Sequence, residues 1–220
     1  MENNAKEVRD RLVRDAKSNL ILDAALKVFA ERGYHDARLE DIAASAGFSK
    51  ASLYNYYEDK EEIFLHILIR MHEKFIDVLK TEIKADRHIR ENMQAMLNAI
   101  LRIYSENFSF SMNMTDLKTM APNSMQKFQE HHQQLMARVK HYSKEMTELS
   151  MAIFMAGRQR GEIISKLDDK TLSQYVTSLI RGVLFDCKGE GKLGDIENHA
   201  QNIMDFLSNG LGFAKLAETK

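Results

Sequence analysis

The sequence predicts an all-α chain of about nine helices, and three features carry that expectation. One proline and ten glycines are all that interrupt 220 residues, so helix breakers are scarce. Leu, Met, Ala, Glu, Lys and Gln fill the long segments, and these residue types lose little side-chain freedom in a helix. Apolar residues recur at steps of three and four along most of the chain, the period of one helical face.

Residues 1 to about 17 are charged and lack an apolar stripe, so they form either a mobile arm or the solvated opening of the first helix. Ile21, Ala25, Val28 and Phe29 then share one helical face, and Gly33 stands where a left-handed C-terminal cap is expected. Two short apolar clusters follow, 39–46 and 49–56, separated by Ala46-Gly47-Phe48, which leaves room only for a tight turn between helices. Asp59-Lys60-Glu61-Glu62 is a capping-box pattern ahead of Phe64, Ile67, Leu68, Met71, Phe75 and Leu79, the stripe of a long fourth helix. Ile89, Met93, Leu97, Ile100, Tyr104 and Phe108 mark a fifth, after which 108–122 loses its period and reads as a short helix with loops.

Beyond Pro122, the residues Met125, Phe128, His132, Leu135, Val139, Tyr142, Met146, Leu149 and Ile153 fit one helix of roughly thirty residues or more. Met151, Ala152, Phe154 and Met155 make its end apolar on nearly every side, which favours a central helix buried by neighbours over a coiled-coil seam. Asp168 is an N-cap for a helix carrying Leu172, Val176, Leu179, Val183 and Leu184. After a glycine-rich loop, Asp195 caps a last helix with Ile196, Ile203, Phe206 and Leu207.

A hydrophobic fraction of 44% supplies a real core. The formal charge of -1 gives the whole molecule no field that attracts nucleic acid, so any DNA contact must come from a local arrangement of cations. Cys187, the one cysteine, has no intramolecular partner for a disulfide, and its type is more often a small buried residue than a redox sensor. Charges scattered over the first twenty residues leave no apolar leader, and no uninterrupted apolar run is long enough to cross a bilayer. The expectation is a cytoplasmic protein with no membrane partner.

The segment 20–65 carries the functional signal. It reads Ala25-Leu26-Lys27-Val28-Phe29-Ala30-Glu31-Arg32-Gly33-Tyr34, then Asp41-Ile42-Ala43. It continues Ala46-Gly47-Phe48-Ser49-Lys50-Ala51-Ser52-Leu53-Tyr54-Asn55-Tyr56-Tyr57 and ends with Lys60-Glu61. In order and spacing these residues resemble the N-terminal domain of the TetR family of transcriptional regulators. The resemblance implies a three-helix helix-turn-helix DNA-binding domain over 1–60. It also implies a C-terminal helical ligand-binding and dimerisation domain over 61–220, a homodimer, a double-stranded operator, and no enzymatic activity. Two departures stand out: Ala37 occupies a position where the family often has a hydroxyl, and Tyr57 one where it usually has phenylalanine.

The same residues make physical sense by themselves. Gly47 permits a left-handed turn, Ile42, Ala46, Leu53 and Phe29 supply a small core, and Ser49 is an N-cap for the third helix. With Leu53 and Tyr54 pointing inward, Lys50, Ser52, Asn55 and Tyr56 are the candidates for base contacts in the major groove. Lys60 and the Tyr57 hydroxyl are candidates for phosphates, and Arg38 and the Ser49 helix start are candidates for phosphates or base edges. Arg9, Arg11, Arg14 and Lys17 lie in a mixed-charge arm that is a weaker candidate for the minor groove.

The part after residue 85 is rich in Met, Phe and Tyr, which suit an adaptable apolar pocket as well as an ordinary core. Since the fifth to seventh helices of the family enclose an effector, the resemblance makes Met96, Ile100, Tyr104, Phe108, Phe128, His132, Leu135 and Tyr142 candidate pocket residues for a small hydrophobic or amphipathic molecule. His131 and His132 do not share a helical face and have no acidic or cysteine partner at metal spacing, so no metal and no cofactor are expected. No nucleophile motif, phosphate loop or paired carboxylate is visible, which leaves an all-α enzyme as the remote alternative. A nearer one is a DNA-binding protein of the same fold without an effector. The last two helices, with Gly182 and Gly210 in apolar stretches, are the expected dimer interface.

Overall fold

A computed structural model of the chain describes residues 2–84, 86–106, 130–189 and 196–209. Among the described residues there are eight helices and no strand. They are α1 (Glu2–Asp36), α2 (Leu39–Ser45), α3 (Lys50–Tyr54), α4 (Lys60–Glu82), α5 (Ile89–Glu106), α6 (Gln133–Gln159), α7 (Asp169–Gly189) and α8 (Ile196–Asn209). The all-α class is found, and the described helices follow the expected order, while the short helix expected over 108–122 lies outside the described residues. Phe108, Met125, Phe128, Asp195 and Gly210 lie outside the described residues. No described helix is long and apolar enough to cross a membrane. The chain divides into two compact units, 1–74 with 106–144 and 75–105 with 145–220.

In the first unit the charged opening of the chain is helical from Glu2, and residues 5–17 face solvent. Gly33 breaks α1 as expected, but its φ of 77° is joined to a ψ of 164°, an extended mirror-image conformation rather than a left-handed helical cap, and helix resumes to Asp36. The core is built from Ile21, Ala25, Val28 and Phe29 of α1, Ile42 and Ala43 of α2, Leu53 of α3, and Ile63, Phe64 and Ile67 of α4, all buried. Phe64 meets Phe29 and Tyr34 edge-on, with ring centroids 6.4 and 5.1 Å apart. The first turns of α4 therefore close the N-terminal core. The start of α6 lies on the same cluster through Leu135, Met136 and Val139. It is tied to α4 by Tyr142, whose hydroxyl donates to Glu73 Oε1 at 2.6 Å, and by a 3.2 Å contact between Ser143 Oγ and His72 Nε2.

The second unit is ordered by polar groups that satisfy helix ends. Asp168 caps α7 as expected, accepting from the Thr171 N–H at 2.9 Å and its hydroxyl at 2.6 Å. Arg158 spans the turn before it, donating to Asp169 Oδ1 at 2.9 Å and to the carbonyls of Ser165 at 2.8 Å and Leu167 at 2.5 Å. Gly157 packs on the start of α5 so closely that a Cβ there would stand 2.7 Å from Ile89 Cδ1 and 3.1 Å from Ile89 Cβ. Buried Asn92 donates to the carbonyls of Lys84 at 2.7 Å and Arg87 at 3.3 Å, and accepts from the Lys84 N–H at 3.1 Å, which stitches the turn between α4 and α5. Val176 and Ile180 of α7 and Ala200, Ile203 and Met204 of α8 are buried, and these two helices pack together.

Candidate DNA interface

The turn before α3 is a Schellman motif. The Phe48 N–H bonds the Ala43 carbonyl at 2.8 Å and the Gly47 N–H bonds that of Ala44 at 3.1 Å, with Gly47 at φ 74°. A residue with a Cβ is strained at that φ, so glycine fixes the angle at which α3 leaves α2. Ser49 then caps α3: its Oγ accepts from the Ser52 N–H at 3.1 Å and touches Ser52 Oγ at 2.9 Å. Leu53 anchors the helix with none of its surface exposed.

Around that anchor Ser49, Lys50 and Asn55 are exposed, while Ser52 and Tyr56 are half-buried. Tyr54 corrects the expectation of an inward ring, because 46% of it is exposed. Position 54 follows the buried Leu53 by one residue, about 100° round the helix, and that turn carries it out of the core. Tyr56 instead packs edge-on against Phe48 at 6.1 Å, with the Arg14 guanidinium 5.8 Å from its ring. Asp10, Val13, Arg14, Asn55 and Tyr56 line a shallow cleft of about 330 Å³, so the helical arm borders the residues that follow α3.

Lys50 is solvent-exposed but not without a partner: its ammonium is hydrogen-bonded to Glu40 of α2, a residue the sequence reading passed over. That bond holds the Lys50 pKa above its ordinary value and the Glu40 carboxyl below its own. Arg38 is exposed at the N-cap of α2 and makes no side-chain cap there. With Ala37 buried beside it, α2 starts without a hydroxyl cap.

Two expected phosphate contacts are redirected inward. Tyr57 is only 3% exposed, and its hydroxyl bonds Ser18 of α1, so it is a core residue with a polar end. The Lys60 ammonium donates to the carbonyls of Tyr34 at 2.6 Å, Ala37 at 3.0 Å and His35 at 3.1 Å. An ammonium has three N–H groups, and all three are engaged by the end of α1. Burial there pulls the Lys60 pKa below its ordinary value.

The pocket candidates are divided between the two units. Met96 is buried and Ile100 half-buried on α5, in the second unit. His132, Leu135 and Tyr142 lie in the first unit, against Asp59, the N-terminal core and Glu73 respectively. The side chain of Tyr104, like the whole of Phe108 and Phe128, lies outside the described residues. A cleft of about 520 Å³ in the second unit is lined instead by Arg90, Gln94, Asn98 and Arg102 of α5 together with Ala95 and Ala99, by Val78 of α4 and by Gln201 of α8. The structure also supplies the acid that helical spacing did not reveal: Asp59 Oδ2 stands 3.3 Å from His132 Nε2 and 3.5 Å from His131 Nε2.

Residues 21–67 match the family model described as bacterial regulatory proteins, tetR family. The transcriptional activator FasR of Mycolicibacterium smegmatis is 33% identical over 90 residues, which span 41% of this chain and 41% of FasR, well short of that relative's length. The fatty acid metabolism regulator protein of Bacillus subtilis is 22% identical over 191 residues, covering 87% of this chain and 93% of that protein. Among solved structures, FadR from Bacillus halodurans superposes with a TM-score of 0.74 at 21% identity, covering 90% of this chain and 97% of its own. FadR from Bacillus subtilis in complex with stearoyl-CoA gives 0.72 at 21% identity, covering 87% and 98%. A glycine-set turn, a capped and exposed third helix and the match over residues 21–67 make this segment similar to the N-terminal domain of bacterial regulatory proteins of the tetR family, and the solved structures share the fold of the chain.

Proposed function

We propose that this chain is a ligand-responsive repressor that binds inverted-repeat operator DNA as a homodimer and is not an enzyme. The reading rests above all on α3. A five-residue helix is held rigidly by Leu53 and the Ser49 cap while Lys50, Tyr54 and Asn55 point into solvent. A helix displayed in this way suits insertion into the major groove, with Arg38 and Arg14 at hand for phosphates. Residues 1–60 act as reader and 61–220 as effector and dimerisation domain, in the cytoplasm.

The effector is a small hydrophobic or amphipathic molecule, and a long-chain acyl thioester is the first class to test, because the similar Bacillus subtilis FadR structure holds stearoyl-CoA. Met96 and Ile100 of α5 belong to its pocket. Since α4 and α6 both pack on the N-terminal core, a shift of either moves α3. An effector that prefers the shifted state weakens DNA binding by its difference in affinity for the two states.

Gel-shift titration of the chain's own promoter DNA tests this reading. Lys50→Ala combined with Asn55→Ala should abolish the specific shift with the helical circular dichroism unchanged, and stearoyl-CoA should release the wild-type complex. Undiminished binding by the double variant would remove α3 as the reader.

A further inference from the structure

We infer that Asp59, His131 and His132 form a binding site for a divalent transition-metal ion of the zinc class, which pins the start of α6 to the N-cap of α4. The three residues bring one ligand atom each to within 4.8 Å of one another. Helical spacing conceals them because His132 interrupts the helix: it lies in a turn, its carbonyl accepts the first bond of α6 from the Met136 N–H at 2.9 Å, and both imidazoles can then face one side. Their ring centroids are 4.6 Å apart at an interplanar angle of 76°.

The distances favour a shared ion over direct hydrogen bonds. Asp59 Oδ1 is fixed by the Glu62 N–H at 2.7 Å, which turns Oδ2 toward the two Nε2 atoms at 3.3 and 3.5 Å. Charge-assisted hydrogen bonds between such groups are about 2.7–2.9 Å long. Ligand bonds of about 2.0–2.1 Å in a tetrahedral site put neighbouring ligand atoms about 3.3 Å apart, close to the spacing of Asp59 Oδ2 from each imidazole, and a small rotation of the exposed His131 ring completes the set. Two imidazoles and one carboxylate suit zinc, cobalt or nickel rather than magnesium or calcium.

His132 is 7% exposed and forms the floor, while His131 leaves the site open to solvent. Glu58 Oε2, 3.9 Å from His131 Nε2, is placed to compete with water for the fourth position. The bond from the Glu62 backbone is the kind of outer contact that orients a metal-binding carboxylate. Because Asp59 follows the recognition segment by two residues, an ion here stiffens the joint between reader and α6.

Cobalt(II) titration of the full-length protein, followed by visible absorption and calorimetry, tests the site without DNA or effector. One Co²⁺ per protomer should bind with tetrahedral d–d bands and be displaced by Zn²⁺. His131→Ala removes an exposed ligand, and Asp59→Asn removes the negative charge while keeping an oxygen for the Glu62 cap, so both variants should fold. Each should weaken binding at least tenfold and abolish the rise in melting temperature that Zn²⁺ gives the wild type. No saturable binding at micromolar Co²⁺, or equal affinity in the wild type and both folded variants, would overturn the assignment.

Discussion

Lys50 and Lys60 lie ten positions apart in one motif and have opposite fates. Both were candidates for DNA because exposed cations beside a recognition helix meet phosphates and bases. Glu40 holds Lys50 at the surface, where on the proposed reading the pairing is exchanged for DNA, whereas three carbonyls at and just after the end of α1 hold Lys60 in place. A cation on unsatisfied C-terminal carbonyls is favourable for the helix dipole as well as for the bonds themselves. Lys60→Met should therefore lower unfolding stability by about 1–2 kcal/mol in urea titrations. It should leave the salt dependence of operator binding unchanged. A slope reduced by about 0.9 in log Kd against log salt would instead return Lys60 to the phosphate backbone.

Helices draw on tertiary partners at their ends, and two of the elements here show where that help comes from. A helix as short as α3 is not stable by itself, so the Schellman turn, the Ser49 cap and the Leu53 anchor create it. At α5 the help comes from beyond the end of α6, where Glu162 Oε2 accepts the Ile89 N–H at 2.8 Å while Arg160 Nε donates to Oε1 at 2.7 Å. The hydrogen bond from Arg160 is the main cause of a Glu162 pKa lowered from 4.5 to about 2. A carboxyl with a depressed folded-state pKa adds stability above its unfolded value, and that contribution fades as pH falls from about 4.5 toward 2. Glu162→Gln should lower the melting temperature at pH 7 and shrink the difference from wild type across that acid window. A difference that stays constant from pH 7 down to pH 2 would deny the carboxylate this role.

For the whole molecule, the proposed reading of an inverted repeat requires two copies, and we propose that α7 and α8 supply the apolar surface between them. Tyr175 on α7 and Phe206 and Leu207 on α8 are exposed although Ile203 and Met204 of the same α8 are buried, so α8 is apolar on more than its inward side. At Gly182 of α7 a Cβ would meet nothing within 4 Å among the described residues, which suits the approach of a partner helix. Phe206 is 44% exposed, so Phe206→Glu should leave the protomer folded. Sedimentation at micromolar concentration should then show a monomer, with operator affinity falling by at least tenfold. A Phe206→Glu protein that sediments as a dimer would place the interface elsewhere.

The run from Ala25 to Glu61 makes the family resemblance and the helix-turn-helix legible without coordinates, because turns and caps are local. Gly47, Ser49, Asp59 and Asp168 act on residues three to five positions away, and a reader of the sequence finds them where the structure has them. Leu53 and Ile42 are equally legible, since helical period alone puts them on inward faces. Whether a surface cation is free or engaged depends instead on distant atoms, and so the carbonyl partners of Lys60, the Ser18 partner of Tyr57 and the Glu40–Lys50 pair are not legible in the sequence. Asp59 facing His131 and His132, Glu162 capping α5 and Asn92 binding the turn at Lys84 come from the same source. Hydrophobic period fixes which face of a helix is buried, but it carries no information about which polar atoms from remote segments arrive beside it. Only packing brings those atoms to within hydrogen-bonding distance.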